Sequence, residues 1–502
     1  MQAAKLSHRL TTQDATFLYA ESESAPLHFS GLATFEGSID FAKLRDYMER
    51  RLPLLPRFRQ RLVFAPFNLA HPALEDDPDF EITNHLFHHQ LPAGSNEAAL
   101  HAAALRIFEP LMDRSRPLWE MHLFIGLEGD RSAVLWRIHH CIVDGVSWVE
   151  NLNVMLEPRR DAVAPTPIRL DEPKPIPNAA ERLVDAAYDL ASAQLSALRR
   201  IMSPANGRAK TPSPSAMITD ALGLLLRPTV VVAPWNEGIV TKSRSMAWLR
   251  FPLEDVGSIR KAFGGTVNDL ALAALGEGAA RYLHHHERDT RRSRLRIGCP
   301  VSVRSKDEMG TLGNRVSMMI PELEAAPMDP VARLKSVCEE TRRIKSSNEA
   351  QTADLLMSGA DLVPPAAIGI ASSIATRAID SAASLATRAS MVARMLTPRV
   401  AAINFIATNL AGPRGPVYLA GHQMIDYIGM IPLGGNVGYG VVIATYDQNL
   451  YLGMMAATDL MPDLETMKFY VGQAFEELAL AAKKQLGPAP VTAEIAAHPE
   501  AA

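Results

Sequence analysis

The chain has 502 residues, 47% of them hydrophobic and 21% charged, with a formal net charge of −4. That length exceeds one ordinary hydrophobic core and predicts two domains. The composition excludes a disordered polypeptide, and the small charge gives no global attraction to nucleic acid.

The N-terminal stretch MQAAKLSHRLTTQDATF lacks an apolar signal core. No uninterrupted apolar run reaches the roughly 18 residues of a membrane-spanning helix. Three well-separated cysteines, Cys141, Cys299 and Cys338, fit a reducing compartment without a disulfide framework. A cytoplasmic protein is expected.

Further along, SAVLWRIHH at 132–140 alternates as a strand does. Val134, Trp136, Ile138 and His140 share one face, and Leu135, Arg137 and His139 share the other. VSWVENLNVML after Gly145 has a helical pattern, so RIHHCIVDGVSW at 137–148 is a strand-to-helix turn. Two consecutive strand residues point opposite ways, so only one histidine of the pair can face a given pocket. Imidazole is suited to taking a proton from a hydroxyl near neutral pH. A glycine at 145 leaves the mouth of such a site open. Asp144 has three available roles: orienting an imidazole, capping the next helix, or pairing with an arginine.

Six prolines between Pro158 and Pro177 read as a linker. The stretch 179–202 then predicts a helix, with Leu183, Ala187, Leu190, Ala191, Leu195, Leu198 and Met202 at three- and four-residue steps. SPANGRAKTPSPS at 203–215 breaks it. Thr266-Val-Asn-Asp reads as a helix start, with Thr266 as N-cap and Asp269 in the first turn. The histidines at 284–286 read as cations at a helix C-terminus, with metal binding as the alternative. The arginine run RDTRRSRLR at 288–296 fits either an anion site for CoA phosphates or lipid headgroups, or a solvated connection. IATRA at 374–378 and LATRA at 385–389 place Arg377 and Arg388 on one helical face, within a candidate amphipathic segment at 366–395. GGNVGYG at 434–440 precedes a strand, not a helix, and Ser147 lies outside any G-x-S-x-G elbow.

The stretch LMDRSRPLWEMHLFIGLEGDRSAVLWRIHHCIVDGVS, with its Pro-Leu-Trp element, strand hairpin and HHxxxDG, resembles the bacterial wax ester synthase/diacylglycerol acyltransferases of the CoA-dependent acyltransferase superfamily. DATFLYAE at 14–21, PLHFSGLATFEG at 26–37, APWN at 233–236, TVNDLALA at 266–273, LGNRVSMMIPEL at 312–323, TNLAGPRGP at 408–416 and YDQNLYLGMMAATDLMPD at 446–463 extend the likeness over roughly residues 12–480. The resemblance implies an α/β fold of two chloramphenicol-acetyltransferase-like domains, each a mixed sheet with helices, joined by a long helical crossover. The first domain would span 1–160, the linker 161–215, the second domain 216–484 and a disordered tail 485–502.

It further implies an O-acyltransferase with its site between the halves. His140 would be the general base and His139 structural. Asp144 would pair with an arginine, for which Arg304 is the candidate, and Gly145 would keep the tunnel open. Asn268 and Asp269 match the family's Asn-Asp element. Asn268 could donate toward an oxyanion, while Asp269 also reads as a plain helix cap. The donor would be acyl-CoA as substrate, with no cofactor and no metal. The acceptor would be diacylglycerol or a long-chain alcohol, and the partner surface a peripheral inner membrane or lipid inclusion.

Two alternatives stand beside this: a condensation-type acyltransferase using carrier-protein thioesters, and a non-catalytic lipid-binding protein on the same fold. Ala411, Cys141 and Trp148 depart from the family pattern, and the last two bear on the acceptor route.

Overall fold

The computed structural model describes residues 8–143, 145–162, 175–202, 233–239, 241–291, 293–302, 316–346 and 403–487. Asp144, Arg304, the 203–215 break and the 366–395 candidate helix lie outside them. The first part runs β1 (His8–Arg9), α1 (Thr12–Ala20), β2 (His28–Glu36), α2 (Phe41–Glu49), β3 (Gln60–Val63), β4 (Ala73–Asp76), β5 (Leu86–Ser95) and α3 (Glu97–Phe108). It continues through β6 (Trp119–Leu127), β7 (Arg131–His139) and α4 (Gly145–Met155). The linker helix α5 (Ala179–Met202) follows, with the predicted bounds.

The second part runs β8 (Arg244–Pro252), α6 (Leu253–Phe263), α7 (Val267–His285), β9 (Arg294–Ser302), β10 (Val316–Met319), β11 (Glu322–Glu324) and α8 (Pro330–Ser346). It closes with β12 (Phe405–Ala411), β13 (Tyr418–Leu419), β14 (His422–Met430), β15 (Tyr439–Tyr446), β16 (Asn449–Ala457) and α9 (Leu464–Leu486). The rest of the expected tail lies outside the described residues.

Two mixed sheets organise these elements. One has the order β13-β14-β2-β7-β6-β5, the other β10-β9-β12-β15-β16-β8 with β11 on β9. In each, parallel pairs occur beside antiparallel ones: β5 with β6, and β12 with both β9 and β15. Beneath the second sheet, α7 and α9 bury an apolar core that includes Leu270, Leu275, Val471 and Phe475. The start of α7 is closed by the predicted capping box. The Thr266 hydroxyl accepts from the Asp269 N–H at 3.2 Å, and the Asp269 carboxylate accepts from the Thr266 N–H at 2.8 Å.

The central strand β7 is buried on both faces, which explains its near-continuous apolar run. Val134, Trp136 and Ile138 pack toward α1 and α4, while Ala133 and Leu135 pack on the opposite side.

The halves do not separate along the chain. β14, late in the sequence, pairs antiparallel with β2 in the first sheet, with Gly429 opposite Gly31. Its other side meets the second sheet so closely that a Cβ on Gly453 would lie 2.3 Å from the Gly429 carbonyl oxygen. Backbone touches backbone there. Gly453→Ala is therefore expected to lower stability by about 1–3 kcal/mol, the usual cost of overpacking. A thermal melt followed by circular dichroism reads this as a clear drop in Tm, and an unchanged Tm would contradict the close packing.

Candidate active site

β7 ends at His139, and His140 is the first residue of the turn that follows. The alternation carries through the end of the strand, and the two rings face opposite ways. His139 is fully buried beside Glu21. His140 is half-buried, with its ring stacked on Phe17 at 4.0 Å between centroids and edge-on to Phe29 at 5.5 Å.

The backbone of the turn is held at four points. The His139 N–H donates to the Leu118 carbonyl of the Pro-Leu-Trp element at 3.0 Å, and the His140 N–H donates to Leu27 at 3.1 Å. The Ile142 N–H returns to the His139 carbonyl at 3.1 Å, and Arg57 reaches the Ile142 carbonyl at 2.8 Å.

His139 is fixed by chemistry as well as position. Its Nδ1 accepts from the Cys141 N–H at 3.2 Å, so the ring proton sits on Nε2, which faces Glu21 Oε1 at 3.3 Å. The Glu21 carboxylate is 1% exposed. It also accepts from the Leu27 N–H at 2.9 Å and from Arg114 at 2.8 Å. Burial alone would raise its pKa; the His139 ring, the Leu27 N–H and Arg114 outweigh that and bring it down to about 2. Arg114 donates to the Leu18 carbonyl as well, tying in α1, which carries Phe17.

Beyond the turn, Phe29 links His140 to α4, with its ring 5.6 Å from that of Trp148. The Trp148 indole donates to the Tyr427 hydroxyl at 2.8 Å. Tyr427 comes from β14, and Gly31 makes room for it: a Cβ there would lie 2.8 Å from the phenol oxygen. Tyr427 also lines a small apolar cleft, partly open to solvent. Val149, Leu152 and Leu156 from the α4 side meet Leu410, Met424 and Ala444 from the second half across it. The Cys141 thiol is buried, and burial pushes its pKa far up, which disfavours a thiolate nucleophile beside the pair.

The other residues marked in the sequence fall elsewhere. Asp269 is buried, caps α7 and accepts from Thr341 of α8 at 2.9 Å, which is the plain helix-cap reading. Asn268 accepts from Asn409 of β12 at 3.3 Å. The next residue, Leu410, turns to the opposite face and into the pocket. Gly145 begins α4. In the arginine run, Arg291 pairs with Asp289 at 3.1 Å on the surface, whereas Arg294 and Arg296 already belong to β9 and pair with Glu324 and Glu322 of β11 at 3.6 and 2.9 Å, Arg296 being buried. His285 and His286 bond to Tyr470 and Asp463, and no cluster with metal-ligand spacing occurs among the described residues.

Sequence reasoning missed Glu21, Arg114 and Arg57. The available signal was a glutamate inside DATFLYAE and an arginine inside DRSRPLW, two elements with no stated reason to meet.

Comparison with known proteins fits this geometry. Residues 10–271, more than half of the chain, match the model of the wax ester synthase/diacylglycerol acyltransferase catalytic domain, and 312–479 match that family's C-terminal domain. The chain belongs to the wax ester synthase/diacylglycerol acyltransferase family. A relative from Mycobacterium tuberculosis named as a probable diacylglycerol O-acyltransferase is 27% identical over 497 residues, covering 95% of this chain and 97% of its own. The fold is similar to that of the wax ester synthase/diacylglycerol acyltransferase from Marinobacter aquaeolei, with a TM-score of 0.63, 20% identity, and coverage of 94% and 99% of the two chains. It is also similar to the first condensation domain of the calcium-dependent antibiotic synthetase, with a TM-score of 0.59, 15% identity, and coverage of 97% and 98%. The two-domain acyltransferase fold expected from the sequence is thus borne out, and acyl transfer is the activity of the family. No helix among the described residues is long and apolar enough to cross a membrane.

Because its folded pKa lies below the ordinary 4.5, Glu21 contributes stability that is present above that value and lost as the pH falls toward about 2. Glu21→Gln is therefore expected to melt below wild type at neutral pH, with the gap narrowing on acidification through this window. A gap independent of pH would contradict the ionised, paired Glu21. Glu21→Ala, which leaves His139 and Arg114 without their partner, is expected to cost on the order of 3–5 kcal/mol.

Proposed function

We propose that the protein transfers a fatty acyl group from acyl-CoA to the hydroxyl of diacylglycerol or a long-chain alcohol, with His140 as general base. The observation that carries this reading is the different fate of the two histidines. One is locked against a buried carboxylate, while the other is half-buried between Phe17 and Phe29 at the end of a chain of aromatic contacts leading to an apolar pocket.

The thioester is already activated, so no covalent nucleophile is needed. His140 Nδ1 is shut away from solvent, and Nε2 is the nitrogen assigned to the acceptor. It takes the proton as the alcohol oxygen attacks the acyl carbonyl. The tetrahedral intermediate collapses with cleavage of the C–S bond, and the imidazolium returns its proton to the CoA sulfur. Ester and free CoA are the products. A positioned base is worth about 10²–10⁴-fold in rate, and holding both substrates in attack geometry adds to it. The pocket between α4 and the second half is read as a berth for part of an acyl chain. Asp144, paired with Arg304, would hold the turn, with Gly145 keeping the approach clear and Asn268 near the second-half wall. A membrane or lipid-inclusion surface would supply the acceptor.

The test is thiol release from palmitoyl-CoA with hexadecanol or dipalmitoylglycerol. Wild type is expected to release CoA only with an acceptor, and the preferred acceptor names the product. His140→Ala is expected to lose about 10²–10⁴-fold. No release with either acceptor from a folded protein would overturn the reading, and release only from carrier-protein thioesters would favour condensation-type chemistry.

A second test addresses the pocket. Val149→Trp is expected to lower kcat/KM for palmitoyl-CoA by about tenfold or more relative to butyryl-CoA, because lost apolar contacts discriminate on that scale. Equal loss on both donors would place the acyl chain elsewhere.

A further inference from the structure

Between Glu21, which anchors His139, and Leu27, whose carbonyl takes the His140 N–H, the chain makes one tight turn. Ser22 and Ala25 close it by exchanging backbone hydrogen bonds at 3.2 and 3.1 Å. The second half of the chain reaches this turn from two sides.

On one side stands Arg244, the first residue of β8, which is 5% exposed. Its guanidinium donates to backbone carbonyls: Nη1 to Thr241 at 2.8 Å and Ser243 at 3.1 Å, and Nη2 across the seam to Ser24 at 2.6 Å. The Arg244 backbone N–H donates to Glu109 Oε1, at the end of α3, at 3.0 Å. Burial pulls the Arg244 pKa down only to about 10, so the group stays charged at neutral pH. A cation held away from water is costly unless its donors find partners. Here those partners join β8 to the turn.

The other side is formed by the APWN turn at 233–236 and the GGNVGYG segment at 434–440. Buried Asn236 donates to the Asn436 carbonyl at 2.8 Å, and the Gly438 N–H donates to the Trp235 carbonyl at 2.8 Å. These bonds hold Gly434 against the turn, where a Cβ would lie 3.5 Å from the Ala25 Cβ and 3.8 Å from Leu27 Cδ2.

We propose that Arg244 is a positioning residue for the acyl transfer: by holding the Ser22–Ala25 turn it lets the second half set where His140 stands. The turn fixes Leu27, whose N–H donates to Glu21 and whose carbonyl accepts from His140. Arg244 acts through this backbone and not on the reacting atoms. The inference rests on the reading of His140 as general base, and it adds the tie that keeps the two halves in register at that base.

The experiment uses the full chain with Arg244→Met, which removes the donors, and Arg244→Lys, which keeps one for Ser24. Hydrogen exchange followed by mass spectrometry needs no substrate. In Arg244→Met, peptides covering 21–29 and 138–143 are expected to exchange about tenfold faster, with α9 unchanged. Thiol release from palmitoyl-CoA, with the acceptor that wild type prefers, is expected to lose about tenfold or more in kcat at nearly constant KM. Arg244→Lys is expected to fall between wild type and Arg244→Met in both readings. Where Arg244→Met fails to fold, Arg244→Lys and Gly434→Leu, which crowds Ala25 and Leu27 from the other side, carry the same two readings. Wild-type exchange in both peptides, or exchange raised equally in α9, would overturn the proposal. So would faster exchange at the turn with an unchanged kcat. A wild type that releases no CoA would overturn the acyl-transfer reading instead, and the exchange pattern would still decide whether Arg244 holds the turn.

Discussion

A buried carboxylate governs the geometry of the site. Glu21 lies out of contact with water, where an ionised acid is tolerable only with hydrogen bonds and countercharge around it. It accepts from the Leu27 N–H and from Arg114, and the His139 ring stands 3.3 Å away, three neighbours from three parts of the chain. Each partner passes the constraint on. Leu27 offers its carbonyl to the His140 N–H. Arg114 clasps the Leu18 carbonyl and so fixes α1, whose Phe17 stacks on His140. His139 holds the backbone that carries His140. The anchored histidine and the accessible one are thus two ends of one polar arrangement, and the doubled histidine reflects a division of labour.

The position of the site follows from the way the halves are joined. β14 completes the first sheet although it belongs to the late part of the chain, and its glycine contacts press the two sheets together. The same strand supplies Tyr427, which binds Trp148 one turn into α4 and forms part of the pocket wall. The strand-to-helix turn therefore opens toward a seam built by both halves. That seam can present an apolar berth beside a polar anchor, because the anchor is sealed on the far face of β7.

Local rules made some of this legible in the sequence. A period of two placed the histidines on opposite faces, and an N-cap followed by an acid placed the start of α7. The stripe at 179–202 gave the helix with its bounds, yet periodicity says only that a helix has an apolar side. It does not say where that side points, and here its first members, Leu183 and Ala187, lie exposed. Glu21 could be quoted from the sequence but not understood, since its partners are remote in the chain and meet only when β2, β7 and the Pro-Leu-Trp segment are assembled. The place of β14 was equally hidden, because strand pairing across such a distance leaves no local mark. Asn268 and Asp269 are adjacent and look like one motif; in the fold the first bonds to β12 and the second is a buried cap.

The division of labour between the histidines is tested most directly by the pH dependence of acceptor-dependent thiol release in wild type, His139→Gln and His140→Gln. Glutamine at 139 keeps a donor for Glu21, and glutamine at 140 cannot take a proton. The account predicts that His139→Gln is slowed but keeps the fall in rate on the acid side, whereas His140→Gln is far slower and loses it. An acid limb that survives in His140→Gln and disappears in His139→Gln would contradict it.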